Sequence, residues 1–421
     1  MARTKMKLWV KIVCIVLAAI VAIFATLALT VVGVWHNEIS TLNSFKQLQT
    51  RNDDNKEGSV YKMKVKGGFY FDEFLKRGGA STDKELIGYI TKSVTRGLIK
   101  MNIGETDIGC SSFTAKTPDG DILFARNYDF AKTNVCITLC DPGKGRHASF
   151  STVDLNYVGM DVNKDVSGLM NKITCLAAPF TPLDGINDAG VSCGIYMSYQ
   201  GGTDTEGTVA TNQSDPEKDN ITSTTMLRMV LDYADNVDEA VELIKKYNLH
   251  DSANTSFHYM VADATGKSAI LEWLPANGTD VTDNDGAARE LVVTYNTDAM
   301  YDGMRDPDGF RYQWITNFIV KDHDSYYEND EVKPGYDRYE HIYNRLSETD
   351  GVIADEDAAM KILAEVGRRT WKPSQNGCTV HSAVYNLTEK TVLWVANENY
   401  GNDKAVYEYS FETGKLKARA K

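Results

Sequence analysis

Cys110 opens the stretch IGCSSFTAKTPDGDILFARNYD, which closes on the polar cluster Arg126-Asn127-Tyr128-Asp129. A thiol is a nucleophile only as its thiolate, and a guanidinium of fixed charge beside it favours that form. The Pro118-Asp119-Gly120 turn between two strand-like runs predicts a hairpin, which brings its two ends together and sets Arg126 and Asp129 near Cys110. Taken singly, each residue has an ordinary explanation. A lone cysteine at a strand start is usually a small buried hydrophobe, and an Arg-Asn-x-Asp run is usually a solvated turn.

Around that hairpin the chain after Cys110 breaks into short alternating or apolar runs that read as strands. They are SSFTAKT, DILFARN, VCITLC, HASFSTVDL, GVSCGIYMSY, FHYMVAD, SAILEW, ELVVTYN, TVHSAVYNL, TVLWVAN and AVYEYSF. Helical periodicity marks STTMLRMVLDYAD, VDEAVELIKKY, DRYEHIYNRLSE and DEDAAMKILAEVG. Strands cluster with helices grouped between them, which favours a stacked antiparallel α+β architecture over a parallel βαβ array. GINDAG (185–190) reads as a loop between strands, and GGTDTEGTVATNQSDPEKDN as a surface loop.

Before Cys110, residues Ile12 to Val34 carry no charge and are long enough to cross a bilayer as a helix. Arg3, Lys5, Lys7 and Lys11 precede them, so the positive-inside rule predicts a cytoplasmic N-terminus and an extracytoplasmic remainder. A cleaved signal peptide has the same basic-then-apolar start, but this apolar run is longer and lacks a clear small-x-small site; an uncleaved single-pass anchor is the preferred reading. His36 to Gly58 is polar and reads as a juxtamembrane spacer. Ser81-Thr82-Asp83 can then cap a helix through KELIGYITKSVTRGLIK, with Leu86, Ile87, Ile90, Val94 and Leu98 on one face. The expected organisation is a basic flank and transmembrane anchor over 1–35, a spacer and pro-segment over 36–109, and a catalytic domain over 110–421.

The formal charge is -13, and the four bases of the first 35 residues leave the remainder at -17. No basic stripe interleaved with aromatics is present, which excludes polyanion binding and nucleic-acid partners. Seven cysteines without a Cys-x-x-Cys pair, and no His-Glu-x-x-His, give no zinc signature. Cys136 and Cys140, within NVCITLC, read as buried strand residues.

Together the motifs resemble the choloylglycine hydrolase family of linear amide C–N hydrolases, with its bile salt hydrolase, penicillin V acylase, acid ceramidase and penicillin acyltransferase relatives. Cys110-Ser-Ser, the Pro-Asp-Gly turn and Arg126-Asn127-Tyr128-Asp129 look like that family's opening. In order follow DGINDAGVSCG from Asp184, FHYMVADATGKSAILEW from Phe257, VVTYN ending at Asn296, and Asp337-Arg338-Tyr339 opening a helix. The resemblance covers about three-quarters of the chain.

The resemblance implies a four-layer αββα N-terminal nucleophile hydrolase sandwich, an α+β fold, preceded here by a transmembrane helix and a small helical pro-segment. It implies self-cleavage between Gly109 and Cys110, after which one residue supplies both thiol nucleophile and α-amine base, two groups whose ordinary pKa values lie near neutrality. On this basis Cys110, Arg126, Asp129, Asn296 and Arg338 are the candidate catalytic residues: Arg126 favours thiolate, Asp129 holds the new α-ammonium, Asn296 donates to the oxyanion, and Arg338 is the later active-site arginine. Taken alone, Arg338 reads as a helix-start arginine in a surface pair. The family's second oxyanion position aligns near Met197, whose thioether cannot donate a hydrogen bond; backbone N–H groups, Tyr196 or Tyr199 are the alternatives. No metal or organic cofactor is implied.

The implied reaction is hydrolysis of a small-molecule linear amide, of N-acyl amino acid, bile-salt-like or penicillin-like type, through a thioester. An acyltransferase on the same scaffold, and a non-enzymatic membrane-anchored binding ectodomain, are the alternatives. A papain-like cysteine–histidine enzyme would need His258 or His381 against Cys110. The oligomeric state is open, a homo-oligomer among the options.

Overall fold

The computed structural model describes residues 8–97, 109–143, 145–200, 208–275, 285–321, 327, 330–371 and 377–420. Arg3, Lys5, Lys7, Leu98 and loop residues 201–207 lie outside the described residues. Helix α1 (Leu8–Val34) contains an 18-residue window, Trp9–Thr26, of mean hydropathy 2.5 with none of it buried against the rest of the protein. It is long and apolar enough to span a membrane, and its place near the N-terminus also fits a signal sequence.

The segment expected as a solvated spacer is instead structured. Helix α2 (His36–Ser44) leads into strand β1 (Lys46–Gln49), and a turn then delivers β2 (Val60–Lys66). VYKMKVK alternates buried and more exposed residues, the period-2 signature of a strand with one face on a core. Next come α3 (Phe71–Lys76) and α4 (Asp83–Ser93), whose Thr82 cap accepts from the Glu85 amide and so satisfies an otherwise free helix-start donor. The helix ends at Ser93, short of the Lys100 expected from periodicity.

From Gly109 the strands are β3 (Gly109–Lys116), β4 (Ile122–Phe130), β5 (Val135–Asp141), β6 (Ser149–Asp154) and, after the short helix α5 (Gly168–Thr174), β7 (Asp184–Asn187) and β8 (Ser192–Met197). After β9 (Asp219–Thr222) and β10 (Tyr247–His250) follow β11 (Phe257–Ala262), β12 (Ser268–Pro275), β13 (Arg289–Tyr295) and β14 (Trp314–Ile315). The last four are β15 (Cys378–Asn386), β16 (Thr391–Ala396), β17 (Val406–Ser410) and β18 (Lys415–Ala418). Each of the eleven strand-like runs read from the sequence overlaps one of these strands. Gly185–Asn187, read as part of a loop, belong to the buried strand β7, and Tyr247, read as helical, opens β10.

Two large sheets result, ordered β1-β2-β5-β6-β7-β8-β11-β12-β13 and β14-β3-β4-β15-β16-β17-β18. Every pairing in them is antiparallel except β2 with β5. Their facing sides meet through residues such as Phe150 on β6 against Tyr409 on β17, ring centroids 5.4 Å apart, and Trp394 Nε1 donating to Thr152 Oγ1 at 3.1 Å. Helix α6 (Ser223–Tyr233) packs on β7 and β8, and α7 (Val237–Ile244) on β11. Helix α8 (Tyr336–Ser347) packs on β14 and β3, and α9 (Glu356–Glu365) on β4 and β15.

Two apolar cores follow from that arrangement. Cys110, Phe124 and Tyr128 belong with the residues of the nine-stranded sheet, whereas Phe113, Ala115, Leu123 and Ala125 belong with Ile342, Leu346 and Leu363 of α8 and α9. The alternation of β3 and β4 thus divides one hairpin between two interiors. Cys136 and Cys140 are buried in β5, and none of the seven cysteines forms a disulfide.

Candidate active site

The hairpin register sets the site. Cys110 lies opposite Tyr128, Ser112 opposite Arg126, and Gly109 opposite Asp129. Cys110 and Arg126 therefore project from the face turned toward the nine-stranded sheet, and Asp129 from the other face, because three residues of separation on a strand reverse sides. The two partners predicted for Cys110 flank it from opposite directions.

On the inner face, Arg126 Nη2 stands 3.5 Å from Cys110 Sγ. Its Nε bonds Asp184 Oδ2 at 2.6 Å, Nη2 also donates to the Ile195 carbonyl at 2.7 Å, and the guanidinium carbon lies 4.4 Å from the centre of the Tyr196 ring. Gly194 makes room: a Cβ there would come within 2.7 Å of Arg126 Nη1. Burial opposes the charge on Arg126, but Cys110, Tyr196 and Asp184 outweigh it and hold the guanidinium protonated. Burial likewise opposes ionisation of Asp184, and His381 together with Arg126 overturns it, holding the carboxyl below its ordinary range. His381 Nε2 and Tyr385 Oη complete the Asp184 shell at 2.8 and 2.7 Å.

On the outer face, Arg338 comes from the first turn of α8 and is buried rather than paired at the surface. Its Nη1 donates to the Cys110 carbonyl at 2.9 Å and to Asp129 Oδ2 at 3.0 Å, and its Nη2 to Asn317 Oδ1 at 2.7 Å. Asp129 Oδ1 accepts from Thr379 Oγ1 at 2.7 Å. Asn317 Oδ1 also accepts from the Cys110 backbone N–H at 3.1 Å, while its Nδ2 donates to the Met197 carbonyl at 3.0 Å. Both backbone groups of Cys110 are therefore gripped by side chains. Burial pushes the thiol up to about 11; Arg126 and Arg338 pull it down, and Asp129 adds to the rise. At neutral pH the sulfur is therefore a neutral thiol.

Four of the five residues singled out in the sequence, Cys110, Arg126, Asp129 and Arg338, come together. Asn296 is not brought to Cys110. It follows β13, an edge of the nine-stranded sheet, where its Nδ2 donates to the Gly266 and Arg311 carbonyls at 2.9 and 2.8 Å and its Oδ1 accepts from the Ser268 amide at 3.2 Å. The asparagine bonded to Cys110 is instead Asn317. Its sequence signal is the polar Thr316-Asn317 pair inside the apolar run WITNFIV.

The other candidates have different employment. The Met197 carbonyl is capped by Asn317, the Tyr196 hydroxyl bonds Ser112 Oγ at 2.5 Å, and Tyr199 holds a left-handed backbone at φ 47°. His258 donates from Nε2 to the Thr316 carbonyl at 2.9 Å and meets Glu272 through Nδ1 at 3.1 Å. Since His381 is engaged by Asp184, both histidines are bonded to groups other than Cys110, and the papain-like arrangement is not formed.

Residues 110–291 match the model of the linear amide C–N hydrolases, choloylglycine hydrolase family, the match starting on Cys110 itself. The chain is similar to this family over that segment. It is a hydrolase acting on carbon–nitrogen bonds of linear amides, and its fold is of mixed α and β type. Among solved structures it is similar to the C2A mutant of conjugated bile acid hydrolase from Clostridium perfringens, at 16% identity over 73% of this chain and 95% of that one, TM-score 0.43. Penicillin V acylase from Agrobacterium tumefaciens is similar at 17% identity over 73% and 90%, TM-score 0.44. The N-acylethanolamine-hydrolyzing acid amidase ortholog of Caenorhabditis elegans is similar at 15% identity over 66% and 93%, TM-score 0.37.

Proposed function

We propose that this protein is a cysteine N-terminal nucleophile hydrolase of that family on a four-layer αββα sandwich, matured by self-cleavage between Gly109 and Cys110. The observation that carries the reading is the grip on Cys110: its N–H on Asn317, its carbonyl on Arg338 and its sulfur beside Arg126. Burial alone demands partners for the Cys110 backbone groups, but it does not demand a guanidinium beside the sulfur.

In maturation the Cys110 sulfur attacks the Gly109 carbonyl, a carbon–sulfur bond forms, and the Gly109–Cys110 amide bond breaks with the thiol proton passing to the departing nitrogen. Water then hydrolyses the thioester, leaving a Gly109 carboxylate, the free thiol and a free α-amine. In turnover that amine takes the thiol proton, the sulfur adds to the substrate carbonyl, and the C–N bond breaks as the ammonium returns a proton to the leaving amine. Water releases the acid. Arg126 stabilises thiolate, Asp129 and the Asn317 oxygen hold the ammonium, and Asn317 Nδ2 serves the oxyanion in place of Asn296. Arg338 fixes Asp129 and Asn317 relative to each other.

The substrates are N-acyl amino acid, bile-salt-like or penicillin-like amides, with water as acceptor. Helix α1 anchors the chain as a single span, with the catalytic domain extracytoplasmic. N-terminal sequencing of the purified protein tests the proposal: a fragment beginning at Cys110, absent from Cys110→Ala, is expected together with Cys110-dependent amide turnover. Full turnover by chains still carrying Gly109 refutes it.

A further inference from the structure

We infer that Asp129 and Arg368 form a wall beside the scissile position that restricts this enzyme to amides of acids unbranched at the carbon next to the carbonyl. The inference rests on the reading of Cys110 given above. Arg368, in the short helix α10 (Arg368–Trp371), carries no role in that reading.

A side chain of L configuration on Gly109 would place its Cβ 3.1 Å from Asp129 Cβ, 3.3 Å from Asp129 Oδ2 and 3.2 Å from Arg368 Nη1. Neither wall yields freely. Asp129 is held by Arg338 at 3.0 Å and Thr379 at 2.7 Å. The Arg368 amide is tied to Thr379 Oγ1 at 2.9 Å, and its side chain runs over Gly377, where a Cβ would lie 3.3 Å from Arg368 Nε. Two glycines thus bracket the Arg368 side chain, and one of them is the residue whose carbonyl the sulfur attacks.

Gly109 is the first acyl group that Cys110 handles. A substrate acyl group is attacked by the same sulfur under the same carbonyl-orienting groups, so its α carbon takes the place of the Gly109 Cα. Its chain leaves in the direction of the Gly109 nitrogen, and a branch in the L direction meets Asp129 and Arg368. A straight chain carries only hydrogen there. Crowding one methyl into a packed site lowers the rate by ~10- to 100-fold.

Two measurements test this. On self-processed protein, kcat/KM is compared for hexanoyl para-nitroanilide and the two enantiomers of its α-methyl derivative. The R enantiomer, whose methyl takes the L direction, is expected to fall ~10- to 100-fold below the straight chain. Arg368→Ala should bring that ratio back toward one, a change that a general loss of stability does not produce. Independently of any added substrate, Gly109→Ala should slow appearance of the Cys110 N-terminus, with partial recovery in Gly109→Ala/Arg368→Ala. Equal turnover of all three anilides, or Gly109→Ala processing at the parent rate, overturns the wall. A parent chain that neither processes nor shows Cys110-dependent turnover instead strikes the reading of Cys110, and the inference falls with it.

Discussion

Arg126 Nε lies 2.6 Å from Asp184 Oδ2 with both side chains fully buried, and this pair bridges the seven-stranded sheet to the nine-stranded one directly behind Cys110. Removing one partner of such a pair strands the other charge in the interior, at a cost of about 3–5 kcal/mol. Asp184→Asn is therefore expected to lower the urea midpoint substantially and to slow processing in the fraction that folds. An unchanged midpoint would show that the pair contributes nothing to holding the sheets together.

Asn317 and Asn296 make opposite forecasts. On the proposed assignment Asn317→Ala removes the oxyanion donor along with the partner of the Cys110 nitrogen, and a loss of about 10²–10³-fold in kcat is expected. Asn296→Ala removes three bonds at the edge of the other sheet. It should reduce thermal stability while leaving kcat of the folded enzyme near its parent value. Steady-state kinetics with melting curves on both variants separate the assignments; a catalytic collapse confined to Asn296→Ala would reverse them.

The pH dependence of self-cleavage follows from the buried thiol. With its pKa pushed up to about 11, the thiolate is a minor species at neutral pH. Its fraction grows about tenfold per pH unit while pH stays well below that value. Processing of freshly refolded precursor should accelerate steeply from neutral pH to pH 9. The linked stability effect has the opposite sign: a thiol raised above its unfolded value of 9.0 favours folding below that pH, and the contribution is lost as pH climbs through about 11. A flat processing profile between pH 7 and 9 would mean that ionisation of Cys110 is not limiting.

Cutting before Cys110 should not release what precedes it. Strand β2 pairs in parallel with β5 along its whole length. Further bonds run from Arg369 Nη2 to the Asn55 carbonyl at 2.6 Å, from Asn397 Nδ2 to the Gly58 carbonyl at 3.1 Å and from the Ser59 amide to Asn134 Oδ1 at 2.9 Å. Val60, Met63, Val65, Phe71, Phe74, Leu86 and Ile90 are buried in the common core. The two fragments are expected to co-elute in mild detergent and to separate only on a denaturing gel. Elution of the Cys110 fragment alone in mild detergent would contradict a shared sheet.

Much of this arrangement is legible in the residue order. DILFARN and TVHSAVYNL are marked as strands by short runs rich in β-branched, aromatic and other apolar residues, and the strands they overlap are buried on both faces. The β1 strand KQLQ carries no such mark, being short, polar and at a sheet edge, so the polar stretch around it reads as spacer. Asp184 opens the motif DGINDAGVSCG, yet GINDAG has the composition of a turn, and only pairing with β6 and β8 makes its first residues a strand.

The sequence by itself determined which residue types were on hand: a cysteine following a glycine, an arginine and an aspartate at the far end of one hairpin, and a later arginine at a helix start. Those are local facts, carried by turn chemistry and periodicity. Which asparagine joins them was decided only in three dimensions. Asn296 follows β13 at the far edge of the nine-stranded sheet, whereas Asn317 follows β14, which pairs directly with β3, and so sits beside Cys110. Strand order across a sheet is set by long-range pairing and burial, and distance along the chain does not encode it.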